Sequence, residues 1–134
     1  MPTLEISFQC AGAVQLAIAA ASLAIPGQLG WREETARLSP LTREVFWTYA
    51  AYIWGTNVAL GLVSLLAADE LAQGGILAAG ISGYGFLYWG ARLVIQFLGF
   101  GKHAPEGLRF KVAEAALIAA FVGLSGVYGW ALFG

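Results

Sequence analysis

A chain of 134 residues, 59% hydrophobic and 11% charged, has the length of one domain. Its mean hydropathy of +0.72 excludes an ordinary soluble protein, and a net charge of −1 without a basic patch offers no surface for nucleic acid. One cysteine, Cys10, excludes an internal disulfide.

The apolar residues come in four runs, residues 4–25, 45–68, 75–100 and 108–133. Each has the roughly 20 residues that cross a hydrocarbon core of about 30 Å at helical rise. The expected fold is therefore an all-α integral membrane protein: one membrane domain over residues 1–134, folded as a compact four-helix bundle. The first run has an Ala-rich end like a signal cleavage region, but its amino end carries Glu5 instead of positive charge. That pattern predicts a retained helix. Ile25-Pro26-Gly27 should stop it. Residues 31–38 read as a short amphipathic segment with Trp31 and Leu38 on its apolar side.

Ser39-Pro40 marks the next helix start, since serine caps and proline at the first position loses no hydrogen bond. Aromatic residues Trp31, Phe46, Trp47, Phe100 and Phe110 would form a belt at one boundary, Trp130 and Phe133 at the other. Residues 69–75 and 99–107 read as turns. Small residues recur at four-residue spacing, as in Ala13/Ala17/Ala21, Ala51/Gly55/Ala59, Ala79/Gly83 and Ala119/Gly123, which predicts close helix crossings.

Charge sets the expected orientation. Arg32, Arg37, Arg43, Lys102, Arg109 and Lys111 flank two loops, and the opposite end holds Glu5, Asp69 and Glu70. The positive-inside rule then makes loops 26–44 and 101–107 cytoplasmic and both termini external, as in a bacterial inner membrane.

Arg92 is the one charge within the third run, about 12 Å from its end at helical rise. An arginine at such depth is costly without a partner. Glu114, about 9 Å into the antiparallel fourth run, lies at matching depth. Gln96 and Tyr88, four residues either side of Arg92, share its face. The expectation is an Arg92–Glu114 ion pair assisted by Gln96 or Tyr88, extended by Gln15 and Asn57 into an intramembrane polar cluster. That cluster reads first as glue between helices and second as a polar track. The dense aromatic rings of the second and third runs, Trp54 and Trp89 among them, read first as packing against neighbouring helices of this chain or another. The second reading has Trp54, Trp89, Tyr52, Tyr84 and Trp31 contacting lipid, a partner, or the tail of a lipid, quinone or pigment.

His103, the one histidine, falls in a loop, so no intramembrane histidine ligates haem or pigment and no His/Cys metal site assembles. No nucleophile–base arrangement and no phosphate-cradling loop is present. The small multidrug transporters share the length and span number but carry a membrane-embedded glutamate in their first helix; only the terminal Glu5 is available here, so no membership follows. The expected role is that of a non-catalytic accessory or structural subunit, bound to membrane lipids and other membrane protein subunits, with no side-chain-ligated cofactor. The alternative is a small solute carrier or a lipid- or quinone-binding protein built around Arg92 and Glu114.

Overall fold

The computed structural model describes residues 2–103 and 106–134. The expected 101–107 loop is therefore described only in part: Ala104, Pro105 and the side chain of His103 lie outside the described residues. Among the described residues the chain is all helical, with seven α-helices: α1 (Pro2–Ser22), α2 (Ile25–Leu29), α3 (Trp31–Thr35), α4 (Pro40–Leu66), α5 (Ala68–Gln73), α6 (Ile76–Leu98) and α7 (Leu108–Phe133). Three segments, Thr3–Ser22, Pro40–Leu66 and Leu108–Phe133, are long and apolar enough to cross a membrane. The expectation of four such runs needs this correction. α6 has the length, but Arg92, Gln96, Tyr84, Tyr88 and several glycines dilute its apolar character.

α1 pairs with α4 and α6 with α7, each pair antiparallel; α1 also touches α7, and α5 bridges α1 and α6. The α1–α4 crossing is set by glycine. A Cβ on Gly12 would lie 2.6 Å from the Gly61 carbonyl oxygen and 2.6 Å from the Leu65 amide nitrogen. A Cβ on Gly85 would meet the Tyr128 ring at 2.7 Å and close the α6–α7 crossing. The four-residue rows named from sequence are not the ones used. Ala13, Ala17, Ala51, Gly55, Ala59, Ala79, Ala119 and Gly123 all face outward. Spacing alone does not say which side of a helix turns inward, and the helices meet along Ala11, Gly12, Gln15 and Ala19 instead.

Local signals held at some ends and failed at others. Ser39 caps α4, its hydroxyl accepting from the Thr42 amide at 3.4 Å, with Pro40 in the first turn as expected. α1 ends at Ser22, earlier than expected, and Pro26 opens α2 rather than only breaking α1. Proline needs no amide donor in a first turn, so it starts a helix as readily as it ends one. The 69–75 turn is partly helical: α5 buries Ala68 and Leu71 beside Leu4 and Phe8, and Gly74 and Gly75, both at positive φ, return the chain into α6. The connection after α6 holds a 3-10 turn at Phe100–His103.

The segment between α1 and α4 folds back rather than lying free. Trp31 packs edge-on against Phe46 and Trp47, and Trp47 Nε1 donates to Thr35 Oγ1 at 3.2 Å. Thr35, not Leu38, is the buried residue of that segment; Leu38 remains exposed. The apolar outer surface includes Leu62, Leu66, Ile76, Leu77, Leu87 and Leu98.

Candidate functional site

One side chain from each long helix meets at the centre of the packing. Gln15 (α1), Ser64 (α4), Trp89 (α6) and Tyr128 (α7) are all essentially buried. Gln15 Nε2 donates to Tyr128 Oη at 2.6 Å and to the Ala11 carbonyl at 3.2 Å, and Trp89 Nε1 donates to Gln15 Oε1 at 3.0 Å. Indole nitrogen can only donate, which fixes the amide with its oxygen toward Trp89. Tyr128 Oη, which accepts from Gln15, also shares a hydrogen bond of 2.5 Å with Ser64 Oγ, in which either hydroxyl can donate. Every hydrogen-bonding group of Gln15 is therefore satisfied. Trp89 stacks on Phe121, centroids 5.5 Å apart, and Phe8 tilts against Tyr128, sealing the group in apolar contacts.

A second connection crosses from α6 to α4. Tyr88 Oη donates to Asn57 Oδ1 at 2.5 Å. Tyr88 thus gives its proton to α4 and makes no hydrogen bond to Arg92, against expectation.

The third lies toward the basic end. Arg92 Nη1 donates to Gln96 Oε1 at 3.0 Å, and Gln96 Nε2 donates to Glu114 Oε2 at 2.8 Å. Arg92 and Glu114 do not pair directly; the buried Gln96 amide stands between them as acceptor for one and donor for the other. The guanidinium is also held between two rings, 4.6 Å from the Phe100 centroid and 4.8 Å from that of Phe121. An aromatic face attracts a cation and leaves its outer N–H groups free. Arg92 and Glu114 are each only partly buried, so this is a bridged, half-solvated arrangement rather than a dry clasp.

The six expected cluster residues thus belong to three separate groups: Gln15; Asn57 with Tyr88; and Arg92, Gln96 and Glu114. The continuous polar track is not formed, because Trp89 and Phe121 fill the space between them. Sequence reasoning missed Tyr128; of its two readings for Trp89, the 2% exposure fits helix packing and not a lipid or partner contact. Tyr128 reads like a neighbour of the Trp130/Phe133 belt. Its one distinguishing mark is that it faces Gly85, visible only once the helices are paired. Trp54 also turns its polar edge inward, donating to the Ala19 carbonyl at 2.8 Å. Trp31 is occupied by Phe46 and Trp47. Tyr52 and Tyr84 do face outward, at 69% and 50% exposure.

Two shallow spaces adjoin these groups. One, of about 230 Å³, is a groove between α4 and α6 lined by Thr56, Ala59, Leu60, Val63, Ile81 and Tyr84. The other, also about 230 Å³, is lined by Gln96, Phe97, Lys102, Glu114 and Ile118. Among the described residues no three metal-ligating side chains converge.

The bridged geometry ranks two substitutions. Gln96→Leu should cost about 1–3 kcal/mol, the range for leaving partly buried polar groups unmatched, since it strips a partner from Arg92 and Glu114 together. Glu114→Gln keeps an oxygen acceptor for Gln96 and should cost less than half as much. Thermal unfolding of the purified variants in one mild detergent checks the order.

No protein-family model, curated protein or solved structure matches this chain.

Proposed function

We propose that the protein is a four-span membrane subunit with no chemistry of its own, an accessory or structural piece seated against a larger membrane protein assembly. α6 serves as the fourth span in this reading. Its 23 residues reach about 35 Å, and its second half lies against α7, from Phe86 against Phe133 to Gln96 against Glu114. The end bearing Arg32, Arg37, Arg43, Lys102, Arg109 and Lys111 is read as cytoplasmic, with both termini and α5 on the other side of a bacterial-type inner membrane.

The observation that carries the role is where the unspent polarity lies. Apart from the buried Ser125 hydroxyl, which has no partner among the described residues, the central polar groups of Gln15, Ser64, Trp89 and Tyr128 are spent on one another, and no continuous polar path for a carrier runs through them. The outer groove between α4 and α6 instead presents Tyr84 and Thr56, with Tyr52 one turn from Thr56. Tyr84 lies about 12 Å from the start of α6, at a depth where acyl chains offer no hydrogen-bond partner. Among the described residues neither Tyr52 nor Tyr84 makes a side-chain hydrogen bond, and a neighbouring subunit would supply one.

Mild-detergent extraction followed by native mass spectrometry tests this. The expected result is a heteromeric particle of fixed stoichiometry that contains this chain. The double variant Thr56→Val/Tyr84→Leu should dissociate from it while melting within about 2 °C of the parent, because both sites are peripheral. A parent chain that runs only as a monomer or homodimer would sink the proposal.

A further inference from the structure

Glu114 is left in an unusual position by the Gln96 bridge. Its Oε2 accepts from Gln96, and among the described residues no cation lies within ion-pairing distance of the carboxylate. The one guanidinium near it is already committed to Gln96 and two aromatic rings. The carboxylate is partly buried and lines the cleft with Gln96, Lys102, Phe97 and Ile118. A half-buried anion satisfied by one neutral amide calls for a cation with hydrogens to give.

The rest of the cleft narrows what that cation belongs to. Glu114 sits about 4.5 Å deeper than Lys111 along α7, one turn below the last charged residue of the basic end. That is where headgroups meet acyl chains. Lys102 is exposed at the same cleft and offers a positive charge nearer to water. Ile118 lies about 6 Å deeper than Glu114 along α7, and Phe97, 60% exposed, flanks the carboxylate on the outer side at about its own depth. From water inward the cleft thus presents an ammonium, a carboxylate and an apolar wall. We infer that it seats one phospholipid with a primary-amine headgroup. The ethanolamine ammonium donates to the free oxygen of Glu114, the phosphate meets Lys102, and an acyl chain lies along Phe97 and Ile118.

The chemistry separates this occupant from its relatives. A trimethylated choline headgroup carries the same charge but has no N–H to donate, and its methyl groups hold it away from Oε1. An anionic lipid such as phosphatidylglycerol, whose headgroup is neutral and whose phosphate is uncompensated, would satisfy Lys102 but bring that phosphate toward Glu114 with no cation between them. The preference should therefore depend on the amine, not on lipid charge alone.

The test uses the full chain in detergent, titrated with phosphatidylethanolamine, phosphatidylcholine or phosphatidylglycerol of matched acyl chains and followed by native mass spectrometry. The parent protein should retain one phosphatidylethanolamine about tenfold more strongly than one phosphatidylcholine, a difference of about 1.4 kcal/mol. Glu114→Gln should abolish that preference. Lys102→Met should weaken all three lipids while leaving the ethanolamine-to-choline ratio near the parental value. Equal retention of ethanolamine and choline lipids by the parent overturns the inference, as does a preference for phosphatidylglycerol. The same holds for an ethanolamine preference that survives in Glu114→Gln. The comparison on the parent protein decides the matter even where a variant fails to fold.

Discussion

Gln15→Leu is expected to lower stability by about 2 kcal/mol. The reason is arithmetic over partners. The substitution leaves Trp89 Nε1–H without an acceptor in a place no water or lipid carbonyl reaches, and removes the donor that meets Tyr128 Oη. An orphaned buried donor costs about 1–3 kcal/mol. Interhelical hydrogen bonds in membranes average nearer 0.6 kcal/mol, because chains unfolded in lipid also find partners. Trp89 pulls the figure upward, since it is fully enclosed. Tyr128→Phe should cost less: Gln15 keeps the Ala11 carbonyl, and the Ser64 hydroxyl can turn to a carbonyl of its own helix. Equilibrium unfolding in mixed micelles, read by tryptophan fluorescence, compares the two. A Tyr128→Phe penalty larger than that of Gln15→Leu would mean that the tyrosine, not the glutamine, anchors the group.

Gly12→Ala should cost at least about 2 kcal/mol, although alanine is the better helix former. The added methyl would sit 2.6 Å from two backbone atoms of α4, and backbone cannot rotate aside as a side chain can. The only relief is separation of α1 from α4, within the range of about 1–3 kcal/mol for overpacking, plus the loss of the Trp54–Ala19 hydrogen bond. Gly55→Ala is the matched contrast. Nothing lies within 4 Å of the Cβ position there, so it should gain up to about 1 kcal/mol of helix propensity. Opposite signs for the two substitutions, measured by thermal unfolding, support the α1–α4 crossing as described. A neutral Gly12→Ala would contradict it.

Much of the architecture was legible from hydropathy alone. Runs of apolar residues have a length requirement that leaves few alternatives, so the all-helical, membrane-type character and the Ser39-Pro40 start came through, while among the described residues only three of the four expected spans are long and apolar enough to cross. Facing did not. Ala51, Gly55 and Ala59 and the inward Gly12 and Gly61 are the same residue types, and only the partner helix distinguishes them. The candidate site shows the same division. Depth matching along antiparallel helices brought Arg92, Gln96 and Glu114 together correctly. It could not foresee that the Gln96 amide would lie between the charges, because a shift of a few ångströms along the helices turns a contact into a bridge. Tyr88 was placed on the right face and given the wrong partner. Trp89 was left between helix packing and an outward contact, since hydropathy gives no signal of which large ring will fill the middle.

The Gln15–Tyr128 hydrogen bond joins residues 113 positions apart. Until nearly the whole chain has been made, the amide in the first helix and the indole in the sixth have no complete set of partners. A truncated or half-inserted chain would therefore carry exposed polarity in the membrane, a chemical mark of incompleteness. Closure of that one contact removes it. The interior polar group thus acts as a register of assembly, reporting that the last helix has arrived and is correctly docked.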